Sequence, residues 1–333
     1  MQASENAAPA EALRLRGLAG VELLLAGELR EGLAQLEKPL VALDVALPPS
    51  FEAAAPQILH LWREVRSRGF SFRAQPSELI DADALAQLDL LWGVMRGLLF
   101  HELDRPLPLL LRYVLDALEL GDPVRVVRAL TYFHVYIDKP FSQFHGTASA
   151  GALEVAQAIG RQYANVETRA ALAFARGMSV FDDGQPEVAM RELMHAEELY
   201  RNHCESGAHD MRVCRLLSAE AVILSARDSD SSRPREWLRE AELRHDHVSS
   251  VRLRMLLALD ALRVDDAPAA NAALKAASSA SEACSLGIGL FTAQCVESEI
   301  HLYRGDIEGC QQSIFYLGML IRSLLGAVHL LRK

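Results

Sequence analysis

The strongest candidates for chemistry in this sequence are four potential zinc ligands that lie close together. His203, Cys204, His209 and Cys214 supply the nitrogen and sulfur donors that Zn²⁺ accepts in proteins. However, His203 and Cys204 are adjacent, and neighbouring side chains seldom reach the same ion. Cys214 also falls on the apolar face of the next helix, in line with Leu217. We therefore predict packed cysteines and no metal site, although the sequence leaves open whether these four residues ever bind a metal.

Known catalytic motifs are missing from the sequence. It contains no Gly-Lys dipeptide for a phosphate-binding loop, and it lacks the His-Arg-Asp and Asp-Phe-Gly motifs of protein kinases. No second histidine follows His101-Glu102 at the spacing of a zinc protease helix. Asp228 resembles the start of a calcium loop, but Arg233 and Arg239 replace the required glycine and glutamate. We predict that the chain is not an enzyme, with no catalytic residue and no cofactor.

Composition favours packed helices and disfavours nucleic acid as a partner. The 333 residues are 50% hydrophobic and only 6% aromatic, a balance that suits Ala- and Leu-rich helices better than sheets. The formal net charge of −10 repels a phosphate backbone. Basic residues do cluster in one stretch, which we interpret as a solvated edge: Arg63, Arg66, Arg68 and Arg73.

Cysteine usage and the ends of the sequence predict a cytoplasmic protein outside the membrane. The five cysteines are odd in number and contain no Cys-x-x-Cys pair, so we expect reduced thiols. The first residues lack the apolar segment of a signal peptide, and residues 1–10 are predicted to form a flexible tail. The stretch Ser313–Lys333 is apolar, but Arg322 near its centre argues against a membrane span.

A repeat organises most of the chain. Five turn positions align as anchors: Gly27, Gly121, Gly184, Asp265 and Gly305. Large apolar residues stand three before and nine after each anchor, and small or medium residues stand seven before and five after. Small residues at such positions let two antiparallel helices approach, while the large residues fill the seam between successive hairpins. Each anchor would end one helix in a left-handed residue and start the next helix.

The aligned residues of the five units are as follows. Seven before the anchor stand Gly20, Val114, Gly177, Ala258 and Ser298, and three before it stand Leu24, Leu118, Phe181, Leu262 and Leu302. Five after it stand Gly32, Val126, Ala189, Ala270 and Cys310, and nine after it stand Leu36, Leu130, Leu193, Leu274 and Ile314. Acidic residues or prolines follow most anchors, as expected at helix N-termini. A further hairpin is expected near residue 226.

This pattern resembles the tetratricopeptide repeat, with helices longer than in the standard unit. Several stretches, such as "ELIDADALAQLDLLWGVMRGLLF" and "IHLYRGDIEGC", also resemble the helical C-terminal region of multidomain bacterial serine/threonine protein kinases of the myxobacterial type. In those proteins a kinase domain and an AAA-type ATPase precede the helical region, and this sequence contains neither. The resemblance implies a signalling context and a partner-binding role. We predict an all-α, tetratricopeptide-like right-handed solenoid of about seven to eight hairpins across residues 11–333.

The function predicted from these features is a helical-repeat scaffold or regulatory module that binds a protein or peptide, such as a kinase or ATPase. The alternative is a regulatory domain that senses a small molecule held between hairpins. Four polar or aromatic residues are candidate partner contacts on an inner face: His134, Tyr136, Tyr163 and Arg169.

The C-terminal helix predicts a second contact surface. A solenoid needs a polar outer face on its last helix, but residues 313–331 are apolar nearly all round. We therefore expect this end to be covered by self-association or by a partner. The residues assigned to that surface are Phe315, Met319, Leu320 and Leu331.

Overall fold

The computed structural model describes residues 9–99, 101–102, 105–140, 151–204, 207–225, 232–283 and 287–317. All regular structure in these ranges is helical, so the prediction of an all-α protein is confirmed. The α-helices are α1 (Pro9–Ala26), α2 (Leu29–Ala42), α3 (Phe51–Arg68), α4 (Ala82–Leu98), α5 (Pro106–Leu120), α6 (Pro123–Phe133), α7 (Ala152–Gln162), α8 (Val166–Asp182), α9 (Pro186–His203), α10 (Ala208–Leu224), α11 (Ser232–Leu243), α12 (His247–Arg263), α13 (Ala267–Ala283), α14 (Gly287–Tyr303) and α15 (307–317). A short 3₁₀ helix (Ser77–Leu79) and a π-helical turn (His134–Asp138) complete the set.

The chain divides into two compact units. Unit 1 contains Met1–Leu59, Leu85–Leu109 and Leu238–Lys333, and unit 2 contains His60–Ala84 and Leu110–Trp237. The continuous solenoid of residues 11–333 therefore stays a prediction. The flexible tail predicted for residues 1–10 also stays a prediction, because residues 1–8 lie outside the described part. Helix α1 begins at Pro9.

The turn geometry at the five anchors is as predicted. All five have a positive φ, from 61° at Asp265 to 100° at Gly27. At four anchors two backbone bonds close the helix end: the anchor N–H bonds to the carbonyl three residues back, and the following N–H bonds to the carbonyl five residues before itself. This is the Schellman motif, which satisfies carbonyls that the last helical turn would otherwise leave unpaired. Gly121 instead donates to the carbonyl of Ala117, 3.0 Å away, which is the simpler left-handed cap.

Side-chain caps begin most of the second helices. Asp122, Asp266 and Asp306 each accept a hydrogen bond from the backbone N–H three residues later. Pro123 and Pro186 are the first residues of α6 and α9, where a missing N–H carries no cost. Glu28, which follows the first anchor, makes no capping bond with its side chain.

Close packing of small against large residues joins the helices of a hairpin. A Cβ at Gly20 would lie 2.5 Å from Leu36 Cγ, and a Cβ at Gly177 would lie 2.7 Å from Leu193 Cγ. Such distances are too short for real contacts, so only glycine lets the helix axes approach this far. Both pairs join the position seven before the anchor to the position nine after it, as the repeat requires.

Unit 1 contains a three-helix arrangement at its C-terminal side. Helices α12 and α13 pack against each other, and α14 packs against both. Their shared core includes Met255 and Ala258 of α12, Ala277 of α13, and Ile300 of α14. Each added helix therefore covers the exposed seam of the preceding hairpin, at least in this part of the chain.

In unit 2, each of the helices α6 to α10 packs on its neighbours. Residues 73–77, which we call the strap, lead into the 3₁₀ helix. In sequence order, α8 packs on α9 and α9 packs on α10, while α6 and α7 pack on α8. The strap crosses the turn after α5: Gln75 N–H donates to the Gly121 carbonyl at 2.9 Å, and the Ser77 hydroxyl donates to the Asp122 carboxylate. Asp122 is only 1% exposed, so these bonds fix the strap to a buried N-cap.

Left-handed helix ends also occur outside the five anchors and were not anticipated from the sequence. His245 has a φ of 55° and ends α11 in the same Schellman geometry, and Asp246 caps α12 by accepting from Ser249 N–H. The additional hairpin expected near residue 226 corresponds to helices α10 and α11, and its turn, residues 226–231, lies outside the described part.

Substitution of the turn glycines separates the cost of backbone strain from the cost of a steric clash. Gly184→Ala should destabilise the protein by about 1–2 kcal/mol, because alanine is strained in the left-handed region while the surrounding space is open. Gly121→Ala should cost clearly more, because its Cβ would also lie 2.2 Å from the Arg73 carbonyl oxygen. Urea denaturation of both variants measures the difference, and equal losses would contradict the assigned role of the strap.

The small–large pair of the α8–α9 hairpin can be tested by a double-mutant cycle. Gly177→Ala should cost roughly 1–3 kcal/mol through overpacking, and Leu193→Ala roughly 2–5 kcal/mol because its side chain is fully buried. The double variant should be less destabilised than the sum, since the methyl group of one fills the space left by the other. Strict additivity in urea denaturation would show that the two positions do not pack as described.

Candidate functional site

The four inner-face residues predicted as partner contacts lie on three elements. His134 and Tyr136 lie in the π-helical turn after α6, whereas Tyr163 ends α7 and Arg169 is exposed near the start of α8. The contact partner of His134 is Ser179, ten residues after Arg169 on the same helix, a distance of about 15 Å along its axis. Partner contact through these four residues stays a prediction.

The π-helical turn has a local polar network around it. His134 Nε2 lies 2.6 Å from the Ser179 hydroxyl oxygen, and His134 Nδ1 lies 3.5 Å from Asp138 Oδ2. Lys139 pairs with Asp183 at 2.6 Å, just beyond the end of α8. Within the described chain Nδ1 of His134 makes no well-formed hydrogen bond, so its contact with Asp138 is electrostatic. These bonds hold the π-helical turn against α8. Single-turn π-helices recur at functional sites, which makes the network a candidate.

Two carboxyls of this network are shifted in opposite directions. Interaction with His134, helped by the backbone N–H of Ala152 at the start of α7, lowers the pKa of Asp138. Burial raises the pKa of Asp182, against the opposing effect of Lys139. Ionisation of Asp138 therefore stabilises the folded state, whereas ionisation of Asp182 destabilises it.

The Ser179–His134–Asp138 order is that of a hydrolase triad, but the backbone does not support acyl transfer. Such chemistry needs backbone N–H donors directed at the developing oxyanion beside the nucleophile. Ser179 lies inside α8, whose N–H groups are used in helical hydrogen bonds. We interpret the network as structural, since its contacts tie α6 to α8 and α7.

The four potential zinc ligands do not form a metal cluster in the described chain, where no group of three or more His, Cys, Asp or Glu side chains could hold an ion. Cys214 is fully buried, and burial raises its pKa well above the usual range. Burial, together with Glu167 and Asp210, raises the pKa of Cys204 to about 11. Both thiols are therefore poorly suited to supply a thiolate. Cys284 lies outside the described residues.

The most distinctive surface is an exposed apolar one on the last described hairpin. We call it the terminal face, and it comprises residues from the end of α14 and from α15: Leu302, Tyr303, Ile307, Ile314, Phe315 and Tyr316. Phe315, a predicted contact residue, is 60% exposed. The other three predicted residues of this end, Met319, Leu320 and Leu331, lie outside the described part.

Residues of this face are exposed, whereas most residues at the equivalent positions of the four earlier anchored hairpins are buried. Nine residues after the anchor, Ile314 is 55% exposed, whereas none of its counterparts exceeds 9%: Leu36, Leu130, Leu193 and Leu274. Three residues before the anchor, Leu302 is 57% exposed, whereas Leu24 and Leu118 are at most 1% exposed and Phe181 and Leu262 are partly buried. The prediction that these positions fill a seam is therefore wrong for the last unit. The described chain supplies no layer there to complete the seam.

Sequence reasoning missed part of the terminal face. Tyr303 and Ile307 were not predicted as contacts, although they flank the Gly305 anchor and are apolar in a turn. The signal that could have found them is the absence of a following repeat-type unit in the aligned sequence. The Tyr303 hydroxyl also bonds to Asp265, which links the face to the turn after α12.

No family model matches the chain, and comparisons with curated proteins and with solved structures found no significant match. The resemblance to kinase-associated helical regions thus stays a prediction from sequence. In the described part of the chain, none of the helices combines the length and the apolar character that a membrane span requires.

The opposite pKa shifts around His134 predict opposite effects of two substitutions. Asp138→Asn should destabilise the protein at about pH 7 by roughly 1–2 kcal/mol, since it removes a charge-assisted contact. The loss should shrink as the pH falls below the usual value of 3.8, where the wild-type carboxyl also takes up its proton.

Asp182→Asn is the matched control in the same network. Because the pKa of Asp182 is raised, its ionised form disfavours folding above that pKa, and stability recovers as pH falls through it. The variant should therefore be as stable as wild type, or more so, at about pH 7. Urea midpoints at about pH 7 and about pH 3 provide the measurement. Equal losses in both variants would contradict the pKa assignment.

Proposed function

We propose that this chain is a non-catalytic scaffold or regulatory module that binds a protein or peptide through its terminal face. The observation that carries the proposal is the exposure of Ile314, at a position that the other four anchored hairpins bury. An exposed apolar patch of this kind on a folded protein marks a surface for another macromolecule. The surrounding side chains present aromatic groups, which interfaces favour.

A tetratricopeptide-like right-handed solenoid is the architecture we propose for the chain. Left-handed turns at the five anchors, paired small and large residues, and the packing of α14 on both helices of the preceding hairpin support it. Repeat arrays of this type bind proteins and peptides on surfaces that successive helices present together. A small-molecule sensor remains the alternative function.

We further propose that the module acts in signalling linked to serine/threonine kinases, in the cytoplasm. The support is the sequence resemblance to helical regions that follow kinase and ATPase domains, together with an odd number of cysteines that includes no Cys-x-x-Cys pair. A kinase or an ATPase is therefore a reasonable partner to test first.

Site-specific photo-crosslinking in the native cell tests the proposal. Benzoylphenylalanine in place of Phe315 should yield a discrete adduct with another polypeptide. The same group in place of Leu79, which is also exposed and apolar, should not. Ile314→Asp in the same chain should abolish the adduct while changing the free energy of unfolding by less than about 0.5 kcal/mol, because this side chain is exposed. Identical patterns at the two positions would refute the proposal.

A further inference from the structure

The terminal face has the pattern of a helix-binding surface. On α14, Glu299, Leu302 and Tyr303 follow the spacing of one helical face, and on α15 Ile307 and Ile314 lie two turns apart on one face. Helix α15 is about 16 Å long as described, which matches roughly three turns of a partner helix. Apolar residues that are spaced in this way accept the i, i+3, i+4, i+7 positions of an amphipathic helix.

The rim of the face is acidic. Among the exposed residues of 263–266 and 299–317, five are acidic and two are basic. The acidic ones are Asp265, Asp266, Glu299, Asp306 and Glu308, and the basic ones are Arg263 and Arg304. The Gly309 backbone N–H and His301 lower the pKa of Asp306, so this side chain stays ionised at neutral pH. The Asp265 carboxylate accepts a bond from Tyr303, which places negative charge directly beside the apolar surface.

We propose that the partner of the terminal face is a basic amphipathic helix of another protein, whose apolar side packs on Ile307, Ile314 and Phe315. Its Lys or Arg residues would lie against the acidic rim. This inference rests on the proposed function and specifies the chemistry of the partner. Charge complementarity of this kind sets specificity and accelerates association more than it adds affinity.

A second copy of the chain is a poorer fit. A two-fold interface brings the same surface of both copies together, so the acidic rims would face each other. Like charges across an interface oppose association. Self-association through this end is therefore an outcome that the test must distinguish.

Peptide binding to the full chain provides the experiment. The probe is a fluorescently labelled peptide of about 16 residues, with Leu at one helical face and Lys elsewhere, and its matched control carries Glu in place of Lys. Fluorescence anisotropy should show saturable binding of the Lys peptide only, and raising the salt from about 50 mM to about 500 mM should weaken it markedly. Phe315→Asp should reduce the affinity by more than about tenfold, since it places a charge in the contact.

Charge-reversal variants test the rim itself. Glu308→Lys should weaken the Lys peptide by roughly three- to tenfold. Glu37→Lys is the control, because it changes the net charge of the chain equally at an exposed position of α2. Equal effects of the two variants would show that only the net charge matters, and would overturn the inference.

The remaining outcomes separate this inference from the proposed function. Equal binding of the Lys and Glu peptides would overturn the charge inference and leave the proposed function intact. Absence of peptide binding, with light scattering showing a dimer that Phe315→Asp dissociates, would assign the face to self-association. Absence of peptide binding in wild type, with binding restored by Arg322→Glu, Arg332→Glu and Lys333→Glu together, would assign it to residues 318–333 of this chain. Both results would overturn the proposal of a basic partner helix. Absence of the crosslink from position 315 would instead refute the proposed function itself.

Discussion

The left-handed residue after the first helix of each anchored hairpin is the constraint on which the rest of the structure depends. The last turn of a helix leaves carbonyls without partners, and a residue at positive φ lets the following N–H groups reach back to them. The same residue reverses the chain, so the second helix returns along the first. Asp265 occupies this conformation at a φ of 61° although it is not glycine, which shows that the backbone requirement outweighs the strain.

Once the turn is set, the spacing of side chains determines how closely the helices can pack. A residue seven before the turn lies beside one nine after it, so one of them must be small. Gly177 against Leu193 and Gly20 against Leu36 show this pairing in the two units. The hairpin then presents a seam that it cannot cover by itself. In unit 1, α14 covers the seam between α12 and α13. The terminal face is the corresponding seam between α14 and α15, and no helix of the described chain covers it.

Most of the hairpin architecture could be predicted from the sequence because it depends on local rules. A glycine or aspartate at the turn, a proline or acidic residue after it, and alternating small and large residues are each visible in one short segment. The π-helical turn at His134 could not be predicted, because it follows from contacts with Ser179 and Ala152, which are distant in sequence. The strap at Gln75 and Ser77 was missed for the same reason, since its partners lie on the α5–α6 turn. The left-handed conformation of His245 was not predicted, because non-glycine residues seldom adopt it and no repeat anchor aligns there.

The candidate sites show how repeat chemistry can imitate functional chemistry. His203, Cys204, His209 and Cys214 are close in sequence, yet the buried Cys214 side chain belongs to the packing of α10. Ser179, His134 and Asp138 stand in the order of a catalytic triad, yet a helix leaves no N–H groups to stabilise an oxyanion. Both clusters are accounted for once the helices are in place. The terminal face differs in this respect, because nothing in the packing of the described hairpins accounts for three adjacent aromatic or aliphatic side chains, Ile314, Phe315 and Tyr316, that are each more than half exposed. Removing an apolar surface from water lowers the free energy, so the terminal face is the part of the described chain where an additional contact would contribute most.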